Sequence, residues 1–347
     1  MSSYILVASY TDEVTTLKWT PDTGSLEVSS AVKTGERPSW LLPSTHDNTI
    51  VYAALEQGDG KIAAIKYDKD ARGRVVATLP SGGSAPCALD AIPGELFIAN
   101  YLSGCVAILP TSASAPYLLK EPYLVHFTGT GPNKERQEGS HAHQPLYISE
   151  RDELLVADLG VDRVWRLKRT AENGRWAIHG SFVYPSGSGP RHMALYGGHL
   201  YTLLELSSSL SKVPYPPPTD GEPKIVVVDT MSNPPPKPTD MLAAEILIPP
   251  PNDTFKTPYI YVSNRNDPSP EGDIISIFTP DLELVTEVRS GLKHLRGMAF
   301  GGPDNKWLVA GGQFSGGVKM FERVDGGKDL KVVGAVEVEL STNFVWL

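Results

Sequence analysis

A short apolar segment that ends in a small or polar residue recurs seven times along this chain of 347 residues. The copies are YILVAS (4–9), VYAALE (51–56), LFIANY (96–101), LLVADL (154–159), LYTLLE (200–205), IYVSNR (260–265) and WLVAGG (307–312). They start 45 to 60 residues apart. The mean spacing, about 50 residues, is a repeat length of β-propeller blades. The repeat therefore predicts an all-β, seven-bladed propeller.

Two further patterns surround each copy. A second, shorter apolar segment and a turn precede most copies, as in RPSWLL (37–42), and an alternating stretch such as KIAAIKYD (61–68) follows. Alternation with period two is typical of a half-exposed outer strand, so we expect four antiparallel strands per blade. The first copy lacks a preceding segment, and the missing one appears at the other end as STNFVWL (341–347). We expect this C-terminal strand to pair with the N-terminal strands and close the ring, which leaves no open sheet edge.

The predicted organisation is a single propeller domain over residues 1–347 with two inserted loops. The two longest gaps between copies place these loops at 121–140 and 213–251, and the second contains the proline-rich motifs VPYPPP, NPPPKP and IPPPN. Polyproline segments bind SH3 or WW domains in some proteins. The other interpretations are a stiff surface loop and a contact between subunits of a homo-oligomer.

Composition limits the classes of partner that the protein can be expected to bind. Lys and Arg total 31 against 40 Asp and Glu, so the formal net charge is −9, whereas nonspecific binding to nucleic acid or an anionic membrane needs clustered positive charge. No apolar run approaches the length of a membrane-spanning helix, about 20 residues, and the N-terminus lacks the features of a signal peptide. The two cysteines, Cys87 and Cys105, form no CxxC motif, which excludes a disulfide framework and a thiolate zinc site. We expect a cytoplasmic protein without nucleic-acid or membrane partners.

The repeat also predicts where a ligand would bind. In each blade the shorter segment and the copy after it form a hairpin, so the start of the first strand and the end of the second lie at one mouth of the central channel. The side chains at those positions are Arg37 with Glu56, His141 and His143 with Asp158, Arg191 and His192 with Glu205, Arg265, Arg296 and Asn343. Several arginines around one opening indicate a small anionic substrate, because a guanidinium group binds carboxylate or phosphate in bidentate fashion. Arg191 and Glu205 flank one turn almost symmetrically, so we expect them to face each other.

These residues also have structural interpretations. Arg37 and Glu56 can form an ion pair between neighbouring blades. A single His in a strand, such as His143, more often satisfies a hydrogen bond than catalyses a reaction.

Two metal sites are further alternatives. His141 and His143, two residues apart on one strand face, can bind zinc or iron, and Glu205, Asp158 and Asn100 can bind calcium through oxygen atoms. Motifs of other enzyme classes are absent, since the chain contains no GxSxG, HExxH or P-loop sequence.

The sequence resembles the seven-bladed propeller lactonases in four stretches. These are HAHQPLYISERDELLVADLGVDRVWRL (141–167), SGPRHMALYGGHLYTLLELSSSL (188–210), IYVSNRNDPSPEGDIISIF (260–278) and the terminal STNFVWL. Within that family it is most similar to the fungal 3-carboxy-cis,cis-muconate lactonizing enzymes (carboxymuconate cyclases), and the 6-phosphogluconolactonases are bacterial relatives. The likeness runs through all seven copies and is concentrated in the last four.

The resemblance implies a catalytic site made of a His at the start of an inner strand, an Arg after Pro in the next one, a strand-ending Glu, and an Arg in S-x-R. In this sequence they correspond to His143, Arg191, Glu205 and Arg265. We assign substrate binding to the other residues at the mouth: Arg37, His141, His192, Arg296 and Asn343. The resemblance further implies that no metal or other cofactor takes part.

The functional prediction is an intramolecular lyase or isomerase that forms or opens a lactone from a carboxylated, muconate-type substrate. Arginines hold the substrate carboxylates and stabilise the developing negative charge, while His143 and Glu205 transfer the proton. One alternative is a hydrolase of the 6-phosphogluconolactonase type, in which His143 or Glu205 activates water and an arginine holds the acyl oxygen. The other is a propeller that serves only as a binding scaffold.

Overall fold

Strands form nearly all of the regular structure in the computed structural model, which describes residues 2–236 and 239–347. Helical structure in these residues is limited to four 3₁₀ turns, at Ser149–Arg151, Leu159–Val161, Pro303–Asn305 and Asp325–Gly327. No helix in this part of the chain is long and apolar enough to cross a membrane. Positions 237 and 238, inside the second predicted insertion, and position 1 lie outside the described residues.

The strands make seven four-stranded sheets in the described residues, which we number along the chain. Sheet 1 contains β1 (Ser3–Ser9), β2 (Glu13–Thr20) and β3 (Ser25–Lys33), and sheet 2 contains β4 (Pro38–Pro43), β5 (Ile50–Leu55), β6 (Lys61–Tyr67) and β7 (Gly73–Pro80). Sheet 3 contains β8 (Pro86–Ile92), β9 (Glu95–Asn100), β10 (Cys105–Pro110) and β11 (Tyr123–His126). Sheet 4 contains β12 (Ala142–Ile148), β13 (Glu153–Asp158), β14 (Arg163–Arg169) and β15 (Trp176–Val183).

The remaining sheets repeat the same order. Sheet 5 contains β16 (Pro190–Tyr196), β17 (His199–Leu204), β18 (Ser209–Pro214) and β19 (Val226–Asp229). Sheet 6 contains β20 (Leu242–Leu247), β21 (Ile260–Arg265), β22 (Ile274–Phe278) and β23 (Leu284–Arg289). Sheet 7 contains β24 (Lys293–Gly301), β25 (Trp307–Ser315), β26 (Val318–Val324) and β27 (Asp329–Val336).

The last strand, β28 (Ser341–Trp346), completes sheet 1 beside β1. The amide of Leu347 donates to the carbonyl oxygen of Tyr4 at 3.0 Å, and Phe344 packs in one apolar cluster with Ile5 and Val7. The predicted pairing of the C-terminal strand with the N-terminal strands is confirmed.

Both stretches predicted as inserted loops contain strands, so that part of the prediction is wrong. Residues 121–140 include β11, the outer strand of sheet 3, and residues 213–251 include β19 and β20. β11 and β19 are four residues long and mostly half-buried or exposed. Strands of four residues contain too few alternating positions to be recognised in the sequence. The spacing between the apolar copies therefore could not distinguish them from loops.

Burial of the second strands explains why the repeated segments of the sequence are apolar. Every residue of β5, β13 and β21 is buried, so these second strands read as unbroken apolar runs rather than alternating ones. By contrast, the outer strand β3 alternates between buried or half-buried and exposed residues along much of its length.

The described residues divide into two compact units. The early unit contains Ala8–Thr15 and Ser30–Arg191, and the late unit contains residues 2–7, Thr16–Ser29 and His192–Leu347. Each has apolar clusters of its own. That the whole chain forms one domain stays a prediction.

Candidate active site

Polar side chains mark the ends of several second strands, as the repeat predicts. Asn100 ends β9, Asp158 ends β13 and Arg265 ends β21, while Glu56 and Glu205 directly follow β5 and β17. These strands are buried along most or all of their length, and the polar side chain lies where the strand ends. These side chains thus occupy corresponding positions, at or directly after the end of the second strand, in several sheets.

A β-bulge interrupts the start of many first strands. One extra residue has no partner in the register of the second strand: Ser39 in β4, Cys87 in β8, His143 in β12, one of Ala244 and Glu245 in β20, and Arg296 in β24. A bulge re-aims a side chain and is common beside active sites. The bulges therefore interrupt the regular alternation of side chains between the two sheet faces at His143 and Arg296.

His143 is buried in the early unit. Its ring meets the Tyr101 ring edge-on, with the centroids 5.9 Å apart, and Cys87 Sγ donates to its carbonyl oxygen at 3.3 Å. Cys87 and His143 occupy corresponding bulges in adjacent sheets, so the bulges themselves help to fix the position of His143.

His141 lies before β12 and is held by the protein. Its ring stacks on Tyr101 with the centroids 4.4 Å apart, and its Nδ1 and Nε2 lie 3.1 Å from the Tyr101 carbonyl oxygen and from Glu138 Oε1. The expectation that His141 and His143 share one strand face is wrong, because the strand begins at Ala142 and its bulge falls at His143. A substrate or metal would have to displace these contacts to reach His141.

Asp158 fastens the loop before β12. Its oxygens accept four hydrogen bonds, from Ser140 Oγ (2.6 Å), the amides of His141 (2.8 Å) and Gly160 (3.1 Å), and Trp165 Nε1 (2.9 Å). Asn100 in turn accepts a hydrogen bond from Ser81 Oγ at 2.8 Å. Two of the three proposed calcium ligands are thus engaged by the protein, which argues against the calcium site. Among the described residues, no group of three or more His, Cys, Asp or Glu side chains is placed to hold a metal ion.

Arg37 and Glu56 are linked through Tyr10. The Arg37 guanidinium lies 5.6 Å from the centre of the Tyr10 ring, and Tyr10 Oη donates to Glu56 Oε2 at 2.9 Å. The amide of Glu56 also donates to the carbonyl oxygen of Arg37 at 2.8 Å. This arrangement supports the structural interpretation of the two residues.

The late unit contains a buried ion pair. Arg265 Nη2 lies 2.8 Å from Glu205 Oε2, and the two side chains are 5% and 3% exposed. The same Nη2 donates to the carbonyl oxygen of Ala243 at 3.1 Å, while the Ala243 amide donates to the carbonyl oxygen of Glu205 at 3.3 Å. The beginning of β20 therefore connects both partners. Arg265 is an ion-pair partner of Glu205 that the sequence analysis did not predict.

A second buried pair joins His192 and Glu245. His192 Nδ1 lies 2.6 Å from Glu245 Oε1, and the side chains are 1% and 6% exposed. Glu245 Oε1 also accepts from the amide of Ile246 at 3.0 Å. Glu245 was not predicted as a site residue, although a lone carboxylate in the apolar segment AEILI (244–248) is a signal that could have revealed it.

The structure divides the predicted site residues between the two units. The early unit holds Arg37, His141, His143 and Arg191, and the late unit holds His192, Glu205, Arg265, Arg296 and Asn343. Arg191 and Asn343 are buried, and Arg296 is half-buried. The late unit thus combines a guanidinium group suited to an anion or a polarised carbonyl with an imidazole–carboxylate pair suited to proton transfer.

A family model described as "Lactonase, 7-bladed beta-propeller" matches residues 4–346. The 6-phosphogluconolactonase of Bacillus subtilis is 28% identical over 284 residues, 80% of this chain and 78% of that protein. The probable 6-phosphogluconolactonase of Arthroderma benhamiae is 25% identical over 331 residues, 91% of this chain and 81% of its own length.

Solved structures agree on the fold. A putative 6-phosphogluconolactonase from Bacteroides fragilis superposes with a TM-score of 0.85 at 22% identity, covering 100% of this chain and 98% of that one. The seven-bladed propeller of four-stranded antiparallel blades is confirmed. Since the family model spans nearly the whole chain, this protein belongs to the seven-bladed β-propeller lactonases.

Proposed function

We propose that the protein hydrolyses the lactone of a phosphorylated sugar acid, of the 6-phosphogluconolactone type. The relatives named above are called 6-phosphogluconolactonases and match along most of this chain. They favour the hydrolase alternative over the cyclisation of a carboxymuconate, for which the comparisons with known proteins give no support. The single observation that carries the proposal is the buried Glu205–Arg265 pair in a chain of the lactonase family.

Hydrolysis of a lactone places specific demands on a site. Water adds to the carbonyl carbon and loses a proton, the carbonyl oxygen becomes an oxyanion, and the ring C–O bond then breaks. The ring oxygen takes up a proton as it leaves, so the product is an open-chain hydroxy acid. A catalyst must therefore stabilise the oxyanion and move one proton.

Arg265 meets the first demand in this proposal. Its guanidinium is buried, and one edge is fixed by Glu205 and the Ala243 carbonyl oxygen. A donor already oriented in a low-dielectric site stabilises a developing oxyanion without reorganising at the moment of reaction. The same planar group can instead bind the substrate phosphate.

Glu205 acts through Arg265 in this arrangement. Its Oε2 lies against the guanidinium, so we assign Glu205 to the positioning of Arg265 rather than to the activation of water. His143 and Arg191 are buried in the early unit, and their assignment to the site stays a prediction.

Parallel assays with 6-phosphogluconolactone and 3-carboxymuconate test the proposal. Proton release during lactone opening is followed at constant pH, with the uncatalysed hydrolysis subtracted, and muconate consumption is followed by ultraviolet absorbance. We expect hydrolysis of the lactone and no reaction of the muconate. The reverse result would establish the cyclase, and no reaction with either compound would contradict the proposal.

Arg265→Lys tests the role of the guanidinium. Lysine keeps the positive charge but loses the planar fork, so kcat/KM should fall about 10- to 100-fold, the scale of one charge-assisted hydrogen bond. Arg74→Lys, on the exposed part of β7, is the matched control and should keep wild-type kinetics. An Arg265→Lys enzyme as active as the control would show that Arg265 is structural.

A further inference from the structure

The pair of His192 and Glu245 lies in the late unit beside Arg265, and neither oxyanion stabilisation nor substrate binding requires it. We infer that His192, oriented by Glu245, is the base that removes the proton from the attacking water. This inference rests on the proposed lactone hydrolysis. It assigns the proton transfer to a residue that the sequence analysis placed among the substrate-binding groups, and it gives Glu245 a function as its positioning residue.

The hydrogen bonds around Glu245 determine the form of the imidazole. Glu245 Oε1 accepts from the Ile246 amide at 3.0 Å and faces His192 Nδ1 at 2.6 Å. A carboxylate is an acceptor, so this contact is a hydrogen bond when Nδ1 of His192 carries the hydrogen, and in the neutral imidazole the basic nitrogen is then Nε2. A carboxylate that fixes the imidazole in this tautomer also stabilises the imidazolium formed when Nε2 takes up a proton.

The position of Glu245 places the pair beside Arg265. The Glu245 amide donates to Ser263 Oγ at 3.0 Å, and Ser263 lies two residues before Arg265 on β21, on the same face of the strand. From the other side, Arg265 Nη2 binds the carbonyl oxygen of Ala243, two residues before Glu245. Glu245 is also one of the two residues, with Ala244, at which the register of β20 against β21 is interrupted by a bulge.

The His192–Glu245 pair is about as buried as the Glu205–Arg265 ion pair. The side chains of His192 and Glu245 are 1% and 6% exposed, against 5% and 3% for Arg265 and Glu205. Both pairs are therefore shielded from bulk water to a similar degree.

The chemical nature of the pair also points to a function. Burying two ionisable groups costs desolvation, and apolar residues of similar size stabilise a fold as well or better. The neighbours of Glu245 in the strand are Ala243, Ala244, Ile246 and Leu247, so the local packing would accept an apolar residue. Packing of the strand therefore does not by itself require this polar pair.

In the proposed step, His192 takes up one proton and returns it within the same turnover. His192 Nε2 removes a proton from water while the water oxygen bonds to the lactone carbonyl carbon. The tetrahedral intermediate then collapses, the bond from carbon to the ring oxygen breaks, and the imidazolium returns its proton to that oxygen. His192 ends neutral and is ready for another turnover.

His192→Asn is the decisive variant. The Asn amide nitrogen can replace Nδ1 as the donor to Glu245, so the buried carboxylate keeps a partner while the base is removed. We expect kcat for 6-phosphogluconolactone to fall by about 10²- to 10⁴-fold, with KM changed less than about threefold. Glu245→Gln removes the charge but keeps an acceptor, and should lower kcat at least about tenfold. Glu245→Asp should recover part of that loss.

His179→Asn is the matched control, because His179 Nε2 lies 2.8 Å from the buried Glu153 at the outer side of sheet 4. It disturbs a His–Glu pair away from the site and should keep wild-type kcat. A wild-type enzyme that hydrolyses the lactone while His192→Asn stays within threefold of its kcat would overturn the inference alone. Absence of hydrolysis by the wild type would overturn the proposed function, and the inference with it.

A measurement on the unmodified protein covers the case in which His192→Asn does not fold. Nitrogen NMR of ¹⁵N-labelled protein separates the two imidazole tautomers, and the His192 signals are identified by their displacement in Glu245→Gln. Protonated Nδ1 with unprotonated Nε2 at the pH of the assay supports the inference. The opposite tautomer, or an imidazolium, overturns it.

Discussion

Two buried pairs of ionisable side chains dominate the late unit at the level of single residues. Glu205–Arg265 and His192–Glu245 are almost fully removed from water, so each group depends on its partner far more than a surface ion pair does. Double-mutant measurements assign exposed pairs 0.2–1 kcal/mol in most proteins, whereas breaking a buried pair commonly costs several times more.

Glu205→Gln should destabilise the protein as well as reduce its activity. The substitution leaves the Arg265 guanidinium buried without its counter-charge, and the free energy of unfolding should fall by about 3 kcal/mol. Urea denaturation followed by fluorescence measures this change. Glu13→Gln is the control, because Glu13 pairs with the largely exposed Lys33, and it should cost less than about 1 kcal/mol. Equal effects of the two substitutions would show that the Glu205–Arg265 pair stabilises the protein no more than an exposed ion pair does.

The strands and their connections are held by aspartates that bind backbone amides. Asp158 accepts hydrogen bonds from the amides of His141 and Gly160, on either side of the β12–β13 hairpin. Asp273 accepts hydrogen bonds from the amides of Asp267 and Leu295, each at 2.8 Å, and so connects sheets 6 and 7. Burial raises the pKa of the Asp273 carboxyl, and these two hydrogen bonds offset the rise only in part.

This shift predicts how the contribution of Asp273 to stability depends on pH. A carboxyl whose pKa is raised by folding binds its proton more tightly in the folded than in the unfolded chain, where Asp titrates near 3.9. Its contribution is therefore greatest below about pH 4 and decreases as the pH rises through the folded-state pKa. The free energy of unfolding of the wild type, minus that of Asp273→Asn, should decrease from pH 4 upward. Urea denaturation across that range measures it, and a difference that grows with pH would mean that the amide contacts outweigh burial.

At the level of the whole molecule, the two ends of the chain meet in sheet 1. β28 adds the fourth strand beside β1, and it carries the buried Phe344 and Val345 as well as Trp346, whose Nε1 donates to the Ala299 carbonyl oxygen at 3.3 Å. The strand thus anchors sheet 1 to β24 of sheet 7.

Removal of residues 343–347 should destabilise the fold strongly. The deletion exposes an edge of β1 and loses apolar side chains worth roughly 1.5–3 kcal/mol each, against a typical total stability of about 5–15 kcal/mol. Thermal melting monitored by circular dichroism should show a much lower Tm or no cooperative transition. Deletion of the half-exposed Leu347 alone is the control and should have a small effect. A cooperative transition at the wild-type Tm in the longer deletion would contradict the closure role.

The repeat was sufficient to predict the seven sheets, the chain closure and the strand ends that carry Glu205 and Arg265. It could not predict that these two residues form an ion pair, because they belong to hairpins of different sheets and their contact depends on how the sheets pack. Nor could it place the bulges, since a single extra residue leaves the apolar pattern almost unchanged while it redirects His143. Glu245 was missed for a related reason: its segment was treated as apolar, and its partner lies 53 residues away.

The pairing of β28 with β1 has a consequence during synthesis. A ribosome adds about 5–20 residues per second, so β1 to β3 would wait about 15–60 s before β28 is made. Throughout that interval the nascent sheet presents an unpaired edge that other strands or chaperones can bind. A chain truncated before β28 would keep this edge permanently open, and cellular quality control could recognise the product by that one missing strand.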